Sequence, residues 1–236
     1  MLKSIIGKKV GMTQVFDDKG NLIPVTVVEA GPCVITGIRT VEKNGYTAVQ
    51  LGFANAKEKS LNKAELGLFK KNNIVPKKVL KEFRVDDIAG YSIGQEIKAD
   101  IFKAGDYVDV FAVTKGKGYA GVIKRHNFGM QPTTHGQSDR TRARGSSGGQ
   151  GPQKVFKGMR MSGHLGSEFV TIQKLRVVNV DIQKNVLLIK GAVPAVTTGT
   201  LFISNTLKRV PVIQEIKAKS SKAGKTAGKT VKVKKK

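Results

Sequence analysis

Residues 107–163 read YVDVFAVTKGKGYAGVIKRHNFGMQPTTHGQSDRTRARGSSGGQGPQKVFKGMRMSG. The first seven, Tyr107 to Val113, are apolar, aromatic or β-branched around a single Asp, a pattern typical of a buried β-strand. The residues that follow are rich in glycine, lysine and arginine and contain no apolar run that could form a core strand or helix. The sequence therefore passes directly from a core strand into a long polar insert, and a connection of this length is either functional or disordered in isolation.

The positive charge of the chain is concentrated in two segments. The 236 residues have a net charge of +25, and residues 115–164 contain ten basic residues and one acid. Residues 217–236 contain nine lysines and no acid, whereas residues 1–114 and 165–216 have net charges of only +4 and +3. This distribution is typical of a folded body with nucleic-acid-binding extensions. The candidate RNA-binding residues of the insert are Lys115, Lys117, Lys124, Arg125, Arg140, Arg142, Arg144, Lys154, Lys157 and Arg160.

Three arginines in the middle of the insert alternate with small residues. In an extended chain, Arg140, Arg142 and Arg144 would present their guanidinium groups on one side, an arrangement suited to successive phosphates or to base stacking. Aromatic residues are sparse in the insert, so the composition favours recognition of the backbone and shape of folded RNA over stacking on single strands. The alternative is a solvated loop whose like charges repel one another.

Other classes of function find little support in the sequence. No apolar run reaches the roughly 18–20 residues that span a bilayer, and neither an amphipathic helix nor a lipidation site accompanies the basic segments. His126, His135 and His164 all lie in the glycine-rich insert, which offers neither the rigid support of a catalytic triad nor metal-ligand spacing. Cys33 lies in an apolar context and is expected to be a buried structural thiol in a reducing compartment. We therefore expect no enzyme active site, no metal, no cofactor and no membrane partner.

The rest of the chain reads mostly as β-strands separated by short turns. Alternating β-branched and aromatic residues predict the strands, and Asn44-Gly45 is a turn signal between two of them. Asn62 and Glu65 have the spacing of a capping box and predict a short helix. The spacing of the strands suits a small β-barrel. The predicted strands are residues 12–16, 22–28, 34–39, 47–53, 79–85, 107–113, 169–180, 186–189 and 201–204.

These patterns divide the chain into four segments and predict a mainly β fold with a small α+β insertion. Residues 1–114 form the first part of a β-barrel body, with the insertion at about 55–95. Residues 115–164 form an extended basic loop that joins two strands of the same body. Residues 165–216 complete the barrel, and residues 217–236 form a lysine-rich tail that is disordered when free.

At the edge of the insert the chain resembles the universal family of large-subunit ribosomal protein L-three, in its bacterial or organellar form. The family signature is met at Phe102, Asp109, Ala112, Thr114, Gly116-Lys117-Gly118, Gly121 and Arg125. Further matches are GKKVGMTQVFDDKGNLIPVTVVEAGPC at residues 7–33, VFKGMRMSGHLG at 155–166 and LLIKGAVP at 187–194. The resemblance covers residues 1–213, and the lysine-rich end beyond Val212 is not a general feature of the family.

The resemblance implies a β-barrel of the kind found in translation factors, with the basic loop extending from it. It implies a structural constituent of the large ribosomal subunit that binds large-subunit rRNA early in assembly and supports translation. The loop would extend toward the peptidyl-transferase centre, and the barrel would contact neighbouring ribosomal proteins. The location would be the ribosome, in the cytoplasm or in the stroma or matrix of an organelle.

The resemblance also implies a modification. Bacterial members carry an N5-methylated glutamine in this extension, and the matching position is Gln150, so a glutamine methyltransferase is a further expected partner. The family has Thr and Gly where this chain has Gly151 and Gln153.

Two other classes of function stay open on the residues alone. A protein related to translation factors would bind the ribosome transiently, but it should be structured in isolation and lack a long basic insert. An enzyme would use the triplet Gly148-Gly149-Gln150, which resembles the tip of peptide-release factors. The helical and codon-reading segments of such factors are missing from this sequence.

Overall fold

A computed structural model describes residues 3–208, and residues 1–2 and 209–236 lie outside the described part. The predicted tail at 217–236, and the end of the predicted barrel segment at 209–216, therefore fall on residues that are not described. Strands are numbered along the chain as β1 Ser4–Phe16, β2 Leu22–Ala30, β3 Cys33–Arg39, β4 Ala48–Asn55, β5 Lys77–Arg84, β6 Glu96–Ile97, β7 Tyr107–Val113, β8 Tyr119–Ala120, β9 Gly163–His164, β10 Phe169–Asp181, β11 Val186–Lys190 and β12 Thr200–Asn205. The helices are α1 Val41–Asn44, α2 Lys63–Lys71 and α3 Val122–His126, with 3₁₀ turns at Glu58–Ser60 and Ala99–Ile101.

Six strands form a closed barrel in the order β1, β12, β7, β10, β11, β2, and every neighbouring pair is antiparallel. The alternation in the sequence explains which side chains fill it. Val108, Val110 and Ala112 of β7 are fully buried, whereas Tyr107 and Phe111 on the alternate positions are only partly buried. Burying each large aliphatic side chain of this interior contributes about 1.5–3 kcal/mol. The mainly β fold expected from the sequence is confirmed.

A second sheet lies beside the barrel, with strand order β5, β4, β3, β6. It starts at Cys33, so it includes residues 33–55 that the sequence analysis placed in the barrel before an insertion at about 55–95. The physical reason is that period-two alternation marks a strand without indicating which sheet it joins, because pairing is decided by partners distant in sequence. β4 thus pairs with both β3 and β5 through the registers Val34↔Gly52 and Gly52↔Leu80.

Helix α2 packs beside the second sheet and begins directly after Asn62, as the capping-box spacing predicts. The backbone N–H of Asn62 donates to the carboxylate of Glu65 at 3.1 Å, which is one half of a capping box. Phe69 is buried, and the Asn72 side chain donates to the carbonyl oxygen of Thr36 at 2.9 Å. These contacts hold the helix against β3.

The barrel and the second sheet share one apolar core. Ile6 and Val28 of the barrel cluster with Ile35, Leu51 and Phe83 of the second sheet. The two sheets are therefore packed against one another through fully desolvated side chains, and the second sheet provides a fixed support on one side of the barrel.

Candidate nucleic-acid interface

The basic insert leaves the barrel between two strands that are already hydrogen-bonded to each other. β7 and β10 pair antiparallel, and Val113, the last residue of β7, lies opposite Phe169, the first residue of β10. Residues 114–168 are therefore the connection of a β-hairpin, and both ends of the insert are fixed at the same point of the barrel. In this register the insert connects two neighbouring strands of the barrel.

Beyond the barrel the two limbs of the insert continue as an irregular ladder, which we call the stem (residues 114–126 and 161–168). The N–H of Thr114 donates to the carbonyl oxygen of Glu168 at 2.9 Å, and the N–H of Lys117 donates to that of Leu165 at 2.8 Å. Leu165 returns a bond to Gly118 at 2.9 Å. The short strands β8 and β9 then pair, with Tyr119 opposite His164. The stem projects the rest of the insert away from the barrel in a defined direction.

A glycine allows the two limbs of the stem to lie in contact. Gly166 has φ +78°, and a Cβ at this position would overlap the backbone of Lys115 and approach the Cα of Gly116 at 3.0 Å. Only glycine adopts that backbone conformation without strain and leaves room for the facing limb. The close approach at this point therefore depends on the absence of a side chain.

Helix α3 closes the outer end of the stem. Nη1 of Arg125 donates to the carbonyl oxygen of Met161 at 2.8 Å, and Nε2 of His126 lies 3.1 Å from the same oxygen. The guanidinium lies over Gly163, where a Cβ would be 2.8 Å from Nη1. Val122 of the helix is buried. The base of the insert thus contains short elements that stabilise one another, although the sequence has no run there that is apolar enough for a core strand or helix.

The distal part of the insert, residues 127–160, contains turns and irregular backbone without helix or strand. A few bonds cross it, such as the one from the N–H of Gln131 to the carbonyl oxygen of Thr141 at 3.2 Å. Apolar side chains are exposed beside the basic ones, and Met130 and Phe156 are 50% and 56% exposed. Such a surface combines cations with apolar contact area and suits a nucleic-acid partner better than water.

The candidate RNA-binding residues lie along both limbs and the distal part. Arg125 and Arg144 are half-buried, and the remaining eight of the ten are exposed. Among residues 3–208, the ion pairs are Arg39–Glu82 and Lys98–Glu96, so none of the ten is paired with a carboxylate. One guanidinium nitrogen of Arg144, Nη2, is buried without a hydrogen-bond partner in this part of the chain. Closely spaced cations without counter-charges attract a polyanion strongly.

The arginine run does not have the extended form that its alternation suggests. The N–H of Ala143 donates to the carbonyl oxygen of Arg140 at 3.2 Å, and Thr141 and Arg142 form a turn. Arg142 also directs Nη1 toward the sulfur of Met130, 3.8 Å away. Alternation places side chains on one side only in a strand, and these residues have no neighbouring strand to hold them extended. The three guanidinium groups are therefore not aligned by an extended strand.

Gln150 lies on an exposed turn at the distal end. The N–H of Gln153 donates to its carbonyl oxygen at 3.1 Å, and Gly148 before it has φ +151°. The Gln150 side chain is exposed, and Cys33, the one cysteine of the sequence, is buried in the core. Within residues 3–208, no group of three or more His, Cys, Asp and Glu side chains is placed to hold a metal ion. Over the same residues, no helix has both the length and the apolar character needed to cross a membrane.

Comparison with known proteins identifies the family of this chain. The family model described as ribosomal protein L3 matches residues 78–190. The large ribosomal subunit protein uL3 of Endomicrobium trichonymphae is 73% identical over 213 residues, which cover 90% of this chain and 94% of that protein. The uL3 of Heliobacterium modesticaldum is 53% identical over 206 residues, covering 87% and 98%.

The chain belongs to the ribosomal protein L3 family. It is of the bacterial type, and the family consists of structural ribosomal proteins, so the chain is a ribosomal protein and not an enzyme. The recognition made from the sequence is confirmed.

The residues of the L3 signature have structural roles at the barrel and the stem. Asp109 accepts a bond from the N–H of Lys174 at 2.9 Å within the barrel wall, and Thr114 Oγ1 accepts one from the N–H of Glu168 at 3.3 Å. Gly121 precedes α3, and Arg125 bonds to Met161. The signature therefore builds the support of the loop, whereas the charges that favour RNA lie mostly beyond it.

Sequence reasoning missed two glycines on the returning limb that lie against the signature region. Gly163 and Gly166 make the space for Arg125 and for the Lys115 backbone. The glycines were visible in the stretch SGHLG at residues 162–166. Their partners, Arg125 and Lys115, lie 38 and 51 positions earlier, so no local pattern connects them.

Proposed function

We propose that this protein is a structural constituent of the large ribosomal subunit that binds large-subunit rRNA through the loop of residues 115–164. The observation that carries the proposal is the combination of a hydrogen-bonded stem with ten basic residues, none of them ion-paired within residues 3–208. A fixed stem lowers the conformational entropy lost on binding, and the cations gain free energy by releasing counterions from RNA. The names of the relatives, large ribosomal subunit protein uL3, agree with this partner.

The binding residues of the proposal are those identified from the sequence, with one change of role. Lys115, Lys117 and Lys124 lie on the stem, and Arg140, Arg142, Arg144, Lys154, Lys157 and Arg160 lie in the distal part. Arg125 already has a protein acceptor in Met161 and supports the loop more directly than it contacts RNA. Glycines among these residues allow backbone N–H groups to approach phosphates.

Within the subunit, we place the loop toward the peptidyl-transferase centre and the barrel beside neighbouring ribosomal proteins, with binding early in assembly. The resemblance to the family supports these finer assignments. The loop leaves the barrel at one point, between β7 and β10, so the barrel surface that neither the loop nor the second sheet covers is available for protein contacts. The protein acts in the ribosome and supports translation.

Gln150 is proposed as a site of N5-methylation by a glutamine methyltransferase. Its side chain is exposed on a turn, so an enzyme can reach it in the free protein before the loop is enclosed by RNA. Mass spectrometry of the chain purified from its native ribosomes is expected to show one added methyl group on the peptide that contains Gln150. An unmodified peptide in mature subunits would contradict the assignment.

The test of rRNA binding is its dependence on salt. Binding of the full chain to large-subunit rRNA is measured at several salt concentrations, for the wild type and for a triple variant with Arg140, Arg142 and Arg144 changed to Ala. If the three contact phosphates, the slope of log K against log salt should fall by roughly 2 to 3.

A matched control removes the same charge elsewhere. Lys19, Lys43 and Lys98 each lie beside an acid, and Lys98 is 4.0 Å from the carboxylate of Glu96. Changing these three to Ala is expected to leave the slope as in the wild type, because they lie outside the proposed RNA-binding loop. Equal slopes for the wild type and the loop variant would contradict the proposal.

A further inference from the structure

Four phenylalanines and one lysine form a cluster on the outer face of the barrel where the loop leaves it. The rings of Phe111 and Phe202 stack at 5.3 Å between centroids, and Phe169 lies 5.7 and 6.1 Å from them. Phe83, on β5 of the second sheet, lies 6.3 Å from Phe111. The cluster therefore spans three strands of the barrel and one strand of the neighbouring sheet.

Lys81, two residues before Phe83 on β5, provides a second contact between the sheets. Its Nζ lies 5.7 Å from the centroid of Phe169 and 5.5 Å from that of Phe202, distances at which a cation is attracted to the face of an aromatic ring. Among the described residues Lys81 forms no ion pair, although its neighbour Glu82 is bonded to Arg39. Within residues 3–208, the faces of Phe169 and Phe202 therefore provide an electrostatic attraction to an ammonium that has no carboxylate partner.

The contact between Lys81 and Phe169 lies at the base of the loop. Phe169 is the first residue of β10 and lies opposite Val113, so the returning limb of the stem meets the barrel at this ring. Phe169 is 55% exposed, so packing against the core does not by itself hold its side chain in place. An ammonium that attracts both Phe169 and Phe202 restrains the first residue of β10 relative to the second sheet.

We infer that Lys81 is a positioning residue that fixes the direction in which the RNA-binding loop leaves the barrel, through its contact with Phe169. The second sheet, which carries Lys81 on its edge strand β5, is then a brace for the loop. The inference rests on the proposed binding of rRNA by that loop. This role of Lys81 differs from a direct contact with RNA, because Lys81 would raise the affinity for RNA without touching a phosphate.

The salt dependence of binding separates positioning from contact. Lys81→Met keeps the apolar stem and removes the charge, and it is expected to lower the association constant for rRNA by roughly 2- to 10-fold at every salt concentration, with an unchanged slope. Lys81→Arg is expected to restore the affinity, since a guanidinium also stacks on aromatic faces. The control Lys78→Met, at an exposed lysine of the same strand, is expected to match the wild type.

A double-mutant cycle tests the coupling to the ring. Phe169→Leu keeps an apolar side chain and removes the aromatic face, so it should weaken binding as Lys81→Met does. The double variant should bind no more weakly than the weaker single variant, because both changes remove the same contact. Full additivity of the two effects, or a slope reduced by about one in Lys81→Met, would overturn the inference.

A measurement without RNA keeps this inference distinguishable from the proposed function. Spin labels on Lys124→Cys in the stem and on Lys59→Cys in the 3₁₀ turn that follows β4 of the second sheet report the distance between them by double electron–electron resonance. Lys81→Met is expected to broaden the distance distribution, and Lys81→Arg to restore it, in variants whose thermal unfolding shows them to be folded. An unchanged distance distribution would show that Lys81 does not position the loop. A failure of the wild type to bind rRNA would overturn only the proposed function.

Discussion

Nη1 of Arg125 donates to the carbonyl oxygen of Met161 at 2.8 Å, and this bond joins helix α3 on the outgoing limb of the loop to the returning limb. Gly163 beneath the guanidinium leaves the space for it. The last residue of the L3 signature thus holds the two limbs together at the outer end of the stem. Beyond this bond the loop has only turns and scattered hydrogen bonds.

Removing the Arg125 side chain should loosen the stem. A net loss of about 0.5–1.5 kcal/mol for one hydrogen bond corresponds to roughly 2- to 10-fold faster local opening. We expect the amide protons of Lys117 and Leu165 to exchange faster by that factor in Arg125→Ala. The control is Lys124→Ala, an exposed neighbour on the same helix, which should exchange as the wild type does. Unchanged exchange in Arg125→Ala would show that the bond contributes nothing to the stem.

Gly166→Ala should be among the most damaging changes in the stem. The new Cβ would overlap the Lys115 backbone, and the residue would also be held at φ +78°. Strain of this kind costs about 1–3 kcal/mol. We expect faster proteolysis within residues 114–168 and a lower midpoint of urea unfolding. Gly149→Ala is the matched control, because a Cβ there meets nothing within 4 Å, and it should behave as the wild type.

The stability of the second sheet should depend on pH through Glu82. The pKa of Glu82 is lowered first by the hydrogen bond from the Tyr46 hydroxyl, at 2.7 Å, and then by the bond from Arg39 at 2.9 Å, against an opposing effect of burial. A carboxyl whose pKa is lower in the folded state stabilises the fold above its ordinary pKa of 4.5 and loses that contribution as the pH falls.

Urea unfolding measured from neutral pH down to about pH 3 checks this dependence. Glu82→Gln should be less stable than the wild type at neutral pH, and the difference should shrink as the pH falls below the ordinary pKa. Tyr46→Phe should reduce the same difference, because it removes the largest cause of the shift. A constant difference between Glu82→Gln and the wild type across this range would contradict the assignment.

Cys33 should be inert in the folded protein. Burial raises the pKa of its thiol to about 11, and Sγ donates to the carbonyl oxygen of Ile6 at 3.3 Å. Because the thiolate is the reactive form, a thiol reagent at neutral pH should label the native chain very slowly and the urea-unfolded chain completely. Rapid labelling of the native protein would show that the contact between the barrel and the second sheet opens readily.

The sequence predicts the strands well where alternation is strong. The strand over Tyr107–Val113 has the bounds predicted from its apolar residues, and the first hairpin has its turn at residues 17–21 as expected. The assignment of strands to sheets does not follow from the same pattern. Cys33–Arg39 and Ala48–Asn55 alternate like barrel strands, and their place in the second sheet is decided by pairing with Lys77–Arg84 and Glu96–Ile97.

The candidate site, like the fold, can be predicted from the sequence only in part. Composition and charge identify the loop and its basic residues, because a surplus of cations is a local property of the sequence. The stem is not predictable in this way, since its strands β8 and β9 have only two residues each. Its bonds join Arg125 to Met161 and Lys117 to Leu165 across the whole insert. The turn at Arg140 likewise arises from a backbone bond that alternation does not indicate.

A density map of the large ribosomal subunit purified from the native source tests the central claim most directly. The account predicts that residues 127–160 are enclosed by rRNA, with Arg140, Arg142 and Arg144 against phosphates. It also predicts that the stem keeps the bond between Arg125 and Met161. A map in which this loop lies in solvent, or contacts only neighbouring proteins, would contradict it.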